Sequence, residues 1–159
     1  MAIETGQQAP DFTLYTDKNE AFTLSEMRDG KSTVLLFFPG AFTGVCTAEM
    51  CSVNDDLSRY QDLDAQVVGI STDSPFVLSE FKKRYDLGFP LLSDHNAQVS
   101  EQYGAKYHND FTDMKLDRIS KRSAFVIDAD GEVKYAEVLE NAGKQPDFEA
   151  IQQALRDLQ

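Results

Sequence analysis

One short stretch constrains this chain more than any other. The apolar run Val34-Leu35-Leu36-Phe37-Phe38 is followed at once by Pro39-Gly40-Ala41-Phe42-Thr43-Gly44-Val45-Cys46. An apolar run bounded in this way by proline and glycine reads as a buried strand. From Thr47 to Leu63, the residues Met50, Val53, Leu57 and Tyr60 recur at three- and four-residue spacings, which is the period of a helix. Cys46 therefore stands where a strand has ended and a helix begins. Backbone N–H groups at a helix start lack partners, and the helix dipole favours negative charge there. A thiol so placed is expected to ionise more readily than a free one, and the thiolate is the reactive form. A cysteine can also be just a small buried apolar side chain, and position alone leaves both readings open.

The remaining elements follow from pattern. Phe12 and Leu14, then Phe22 and Leu24, alternate with polar residues around Asp17-Lys18-Asn19-Glu20, which predicts an N-terminal hairpin. Ser25 to Gly30 reads as a short turn, Ser32 to Phe38 as the first long strand and Val67 to Ser71 as the second. Ser74 and Pro75 open a helix as N-cap and first helical residue, and Gly88 follows its end. Phe89 to Leu92 reads as a short strand, and Ala97 to Tyr103 as a short helix stopped by Gly104. Ala105 to Lys121 has no clear period and is expected to be a loop. Ser123 to Ile127 and Val133 to Val138 read as antiparallel strands joined through Asp128-Ala129-Asp130-Gly131. Asp147 caps a last helix with Phe148, Ile151, Leu155 and Leu158 on one face. Strands alternating with helices predict an α/β fold, its central mixed sheet flanked by helices on both faces. The 159 residues are expected to form one domain over their whole length.

Bulk properties narrow the function. A net charge of -12 argues against nucleic acid and against an anionic membrane surface as partners. The longest apolar run is too short to cross a bilayer. Met1 to Gly6 carries neither a basic region nor an apolar signal core, so a cytoplasmic protein is expected. Two cysteines five residues apart make no disulfide scaffold and read as reactive thiols in a reducing compartment. His95 and His108 are far from both in sequence, so no metal site is expected. There is no Gly-rich phosphate loop, so no bound nucleotide cofactor is expected either.

Pro39, Thr43 and Cys46 spell P-x-x-x-T-x-x-C. Gly69-Ile70-Ser71-Thr72-Asp73-Ser74, Phe89-Pro90-Leu91-Leu92-Ser93-Asp94 and Arg122-Ser123-Ala124-Phe125-Val126-Ile127-Asp128 follow in order. These blocks resemble the landmarks of the peroxiredoxins. The resemblance implies a thioredoxin-like fold. It also implies a thiol peroxidase that reduces hydrogen peroxide and organic hydroperoxides without a cofactor. Cys46 would attack the peroxide and become sulfenic acid. Thr43 would supply a hydroxyl, and Pro39 would shield the thiolate from bulk water. Arg122, rather than Arg84 or Arg118, matches the family's active-site arginine, and a guanidinium stays charged. Glu49 would hold that arginine or favour the first helical turn. Phe42 would give an apolar wall.

Two branches of the family are resembled at once. The C-x-x-x-x-C spacing of Cys46 and Cys51 is similar to the bacterioferritin-comigratory (Q-type) branch. There Cys51 would resolve the sulfenic acid as an intramolecular disulfide, recycled by a thioredoxin- or glutaredoxin-like reductant. Ala41 to Cys46 and Tyr135-Ala136-Glu137 look more like the alkyl hydroperoxide reductase E branch. Its members work with one cysteine and an outside thiol. The Q-type branch usually has proline where Gly44 stands. Helix geometry adds a condition: Cα atoms five residues apart are about 8–9 Å apart, whereas a disulfide needs less than about 7 Å. The first turn would have to unwind. A peroxide-sensing redox relay is a further reading, and monomer and homodimer both stay open.

Overall fold

The computed structural model describes residues 3–108 and 111–159. The chain opens with the hairpin, β1 (Thr13–Thr16) and β2 (Ala21–Thr23), followed by a single helical turn, α1 (Leu24–Met27). Then come β3 (Ser32–Phe37), α2 (Gly44–Asp55), α3 (Leu57–Asp62), β4 (Ala65–Ser71), α4 (Pro75–Tyr85) and β5 (Leu91–Ser93). The second half holds α5 (Gln98–Gln102), β6 (Lys106–Tyr107), a 3-10 turn (Thr112–Met114), β7 (Ile119–Ser120), β8 (Ser123–Ile127), β9 (Val133–Val138) and α6 (Phe148–Arg156).

Seven strands form one mixed sheet in the order β2-β1-β5-β4-β3-β8-β9. β3, β4 and β5 run parallel, while β8 runs antiparallel to β3 with Ser123 opposite Phe37. Alternate residues of β3 feed opposite faces, as the two-residue period of a strand requires. Val34, Leu36 and Phe38 pack with Met50, Val53, Tyr60, Leu78, Phe81, Ile151 and Leu155 from α2, α3, α4 and α6. Leu35 and Phe37 pack on the other side with Val99, Tyr103, Phe12 and Phe125. Burial on both faces is why β3 reads as a continuous apolar run.

The observed elements depart from the sequence reading in several places. The single helix expected from Thr47 to Leu63 is two, and it starts earlier, at Gly44. At Asp56 the backbone leaves helical angles (φ -101, ψ 11), and the Asp56 N–H bonds back to the Ser52 and Val53 carbonyls. Just before the break, Asn54 donates to the Asp86 carbonyl and accepts from Gly88 N, tying α2 to the end of α4. The apolar spacing runs through the break unaltered, so periodicity does not reveal it. The region from Ala105 to Lys121, expected as a loop, contains the short β6–β7 pair and the 3-10 turn. The turn expected after Leu24 is a helical turn, and β4 starts two residues earlier than expected, at Ala65.

Gly69 shows why one strand position tolerates no side chain. A Cβ there would lie 2.7 Å from Leu91 Cδ2, 3.3 Å from Phe38 Cε1 and 3.4 Å from Met50 Sδ. Its absence lets α2 and β5 close on the strand that backs the loop after β3. Gly69→Ala is expected to destabilise the protein by about 1–3 kcal/mol through overpacking. A denaturant midpoint equal to or above that of the parent would show that the neighbours relax freely.

Candidate active site

The loop Pro39 to Thr43 leaves the C-terminal end of β3 and turns into α2. Its shape is held from outside. The Ala41 N–H donates to Asp73 Oδ2 at 2.7 Å, and Ser71 Oγ donates to the same oxygen at 2.7 Å. Asp73 thus fastens the loop to the end of β4. Phe42 has φ of 68°, a left-handed conformation that a bulky side chain seldom adopts. Its ring packs edge-on against Phe81, with centroids 5.1 Å apart, and near Tyr85 at 6.4 Å. Stacking on α4 holds a backbone that would otherwise relax. Phe42 is still partly exposed, so it walls the loop's α4 side and is not core.

Thr43 is the N-cap of α2, in extended conformation, yet its side chain caps nothing. Its hydroxyl donates to the Gly40 carbonyl at 2.8 Å, which tightens the loop and leaves the oxygen's lone pairs free to accept. Pro39 is half-buried directly after the strand. Cys46 is the third residue of the helix and fully buried. In the first turn the Thr47 N–H returns a backbone bond, to Thr43 O.

Arg122 immediately precedes β8. Because β8 is antiparallel to β3, its start lies beside the end of β3, where α2 begins. The register therefore brings together residues far apart in sequence. Arg122 Nη2 donates to Cys46 Sγ at 3.2 Å, and Nη1 donates to Glu49 Oε1 at 2.6 Å. Nε and Nη2 also donate to the Ala142 carbonyl, at 3.2 and 2.9 Å. The three side chains are out of solvent: Cys46 and Glu49 are 0% exposed and Arg122 is 2%. Burial works against the guanidinium's charge, but Glu49 and Cys46 more than compensate, and its pKa lies above the ordinary value.

Glu49 is in a harsher position. One carboxylate oxygen meets Arg122, and the other, Oε2, is buried with no partner. Burial pushes its pKa up from 4.5 to about 7, with the charge of Glu137 adding to the rise and Arg122 opposing it. Glu137 in turn accepts from Tyr135 Oη at 2.8 Å and from Asp147 N at 3.0 Å.

Cys51 is half-buried on the same helix, and its thiol pKa is raised by burial and by the Asp55 carboxylate. The structure thus brings Cys46 and Glu49 each into contact with Arg122, with Thr43 and Pro39 in the adjoining loop. It leaves Cys51 more than a turn along α2. Sequence reasoning missed Asp73, whose block was legible but not its bond to Ala41, and the Ala142 carbonyl, which only the fold brings near. Among the described residues, no group of three or more His, Cys, Asp or Glu could hold a metal, and no helix is long and apolar enough to cross a membrane.

Residues 5–136 match the family model described as the AhpC/TSA family. The chain belongs to the peroxiredoxins. It is 35% identical over 133 residues to peroxiredoxin Bcp of Escherichia coli K12, covering 84% of each. It is 36% identical over 132 residues to peroxiredoxin Bcp of Bacillus subtilis 168, covering 82% of each. The crystal structure of peroxidoxin BcpB from Mycobacterium tuberculosis superposes with a TM-score of 0.87 at 30% identity, over 99% of both chains. The thioredoxin-like fold, the Q-type resemblance and the nature of the chain as a peroxiredoxin enzyme follow.

The Glu49 shift has a consequence for stability. A carboxyl whose pKa is raised on folding binds its proton more tightly in the folded state. Its contribution is present below pH 4.5 and is lost as pH rises through about 7. Relative to Glu49→Gln, which does not titrate, the parent should lose on the order of 1–3 kcal/mol between about pH 5 and about pH 8. Denaturant midpoints that change in parallel for the two proteins would contradict this.

Proposed function

We propose that Cys46 is the residue that attacks the peroxide, with Arg122 as the fixed cation beside it. The observation that carries this reading is the 3.2 Å contact from Arg122 Nη2 to the buried Cys46 Sγ. The thiolate attacks one peroxide oxygen and an S–O bond forms. The O–O bond breaks, and the departing oxygen takes a proton as water or alcohol. The arginine's permanent charge stabilises the sulfur anion and then the charge on the leaving oxygen. Thr43, with free lone pairs on its hydroxyl, receives the peroxide's hydrogen and aligns it. Pro39 covers the sulfur from bulk water. Hydrogen peroxide and organic hydroperoxides are the proposed substrates, and the protein acts in the reducing cytoplasm. No cofactor is needed, because reduction of the sulfur is exchange between thiols.

In the resolving step Cys51 attacks the Cys46 sulfenic acid, water leaves, and a disulfide forms. A thioredoxin- or glutaredoxin-like protein then reduces it. The continuous helix through both residues sets the condition that α2 opens at its start before the bond closes. A second reading, direct reduction of the sulfenic acid by an outside thiol, is favoured by the burial and the Asp55 charge that raise the Cys51 pKa and so disfavour the thiolate that would attack. The exposed apolar side chains of Phe42, Phe76 and Met114 keep a homodimer within the proposal.

Mass spectrometry after one equivalent of peroxide tests both steps. Cys46→Ser should abolish peroxide consumption. Cys51→Ser should react once at the parental rate and accumulate Cys46 sulfenic acid, while the parent accumulates the Cys46–Cys51 disulfide. A parent that stops at sulfenic acid would establish the outside-thiol route. Oxidised protein should also lose hydrogen-exchange protection at the start of α2, and equal protection in the two forms would argue against the disulfide.

A further inference from the structure

We propose that Cys46 and Glu49 share one proton across Arg122, so that Glu49 keeps the proton that the sulfur gives up. This rests on reading Cys46 as the attacking sulfur. The geometry is that of two acids on one cation. Nη2 serves the sulfur at 3.2 Å and Nη1 serves Glu49 at 2.6 Å. Cys46 and Glu49 are three residues apart on α2, hence on one face of it. Nε and Nη2 also donate to a neutral carbonyl, that of Ala142. None of the three side chains has water to spread its charge.

In such a pocket two anions against one cation leave an uncompensated buried charge, which is strongly disfavoured. The groups around it do not relieve this. Glu137 on β9 adds negative potential, and Tyr135 donates to Glu137. Tyr60 on α3 has its pKa raised by burial and, less so, by Asp56 and Glu49. The N–H of Asp147, the N-cap of α6, bonds Glu137, and Gln152 on α6 bonds Tyr60. The pocket therefore holds one proton at neutral pH, either on sulfur with Glu49 ionised or on Glu49 with sulfur ionised. The unpartnered Oε2 is the oxygen left for that proton.

The reaction then proceeds without any change in buried charge. Thiolate, peroxide and protonated Glu49 give sulfenic acid, alcohol and ionised Glu49. The S–O bond forms, the O–O bond breaks with its electron pair on the leaving oxygen, and that oxygen takes a proton from water while Glu49 gives one up to water. Sulfur is oxidised and the peroxide reduced. The pocket is neutral before and after. Glu49 reaches the sulfur only through Arg122, so its role is to hold charge and proton, not to touch the peroxide.

The test is the Cys46 thiolate absorbance against pH in the Cys51→Ser background, with and without Glu49→Gln. Removing the competing carboxylate leaves the whole guanidinium charge to the sulfur. The thiolate midpoint should therefore fall by about one pH unit or more. If Glu49 only orients Arg122, the midpoint is unchanged or rises, and either result overturns the proposal. Should Glu49→Gln fail to fold, Cys46→Ser is read by infrared difference spectroscopy of the protonated carboxyl. That band should disappear at lower pH than in the parent, and an unchanged midpoint overturns the proposal. Treatment with peroxide separates the two inferences. A Cys46 that gains no oxygen removes the peroxidase reading, while the titrations decide the shared proton by themselves.

Discussion

A single buried guanidinium is the constraint from which the rest of this structure follows. Arg122 is the cation that faces both Cys46 and Glu49, and it is 2% exposed. A charge so deep needs partners that satisfy its donors, and it has them: sulfur, carboxylate and the Ala142 carbonyl. Two of these partners stand on α2 and the third in the loop after β9. The site is thus also a clasp between α2, the start of β8 and the loop after β9. Removing one partner of such a set leaves the others unpaired, and such a change is more severe than the loss of one hydrogen bond.

The sheet makes that clasp possible. β3 and β8 are adjacent and antiparallel, so the end of one and the beginning of the other share an edge of the sheet. α2 starts at this edge because Pro39 ends the strand and the Asp73–Ala41 bond turns the loop back over β4. Gly69 permits the close approach of Met50 and Leu91 beneath it. The same packing that buries the apolar faces of α2 also fixes where its first turn points. Fold and site share their contacts, and Phe42 takes up a left-handed backbone where the loop turns into α2.

Much of this was legible in the sequence, for physical reasons that can be named. β3 was legible because both of its faces are buried, and α4 because Ser74 and Pro75 mark its start, where Ser74 Oγ accepts from Val77 N. Cys46 stood out because a strand ending before it and a helix after it fix its surroundings locally. Arg122 was reachable only by resemblance, since its partner is 76 residues away and no local pattern encodes that pairing. The break at Asp56 was illegible because the tertiary bonds of Asn54 secure it while the apolar period passes through. The short β6–β7 pair escaped notice because two-residue strands carry no period. The role of Asp73 escaped because a carboxylate bonding a distant backbone N–H leaves no spacing to read.

The weakest part of α2 is the part the proposed chemistry needs to move. Its first turn begins with Gly44, lacks a side-chain cap and has no acidic residue to meet the helix dipole. The next turns are anchored by Met50 and Val53 in the core. Besides the burial of Cys46 in the core, what holds the first turn is the Cys46–Arg122 contact together with the stacking of Phe42. An ionised sulfur makes that contact charge-assisted and strong. Oxidation to sulfenic acid removes the anion, and with Glu49 then ionised the guanidinium has a better partner three residues further on. Attack on peroxide would in this way loosen the turn that must open for Cys51 to reach Cys46, so that the helix stays closed while the sulfur is reduced and opens once it has reacted.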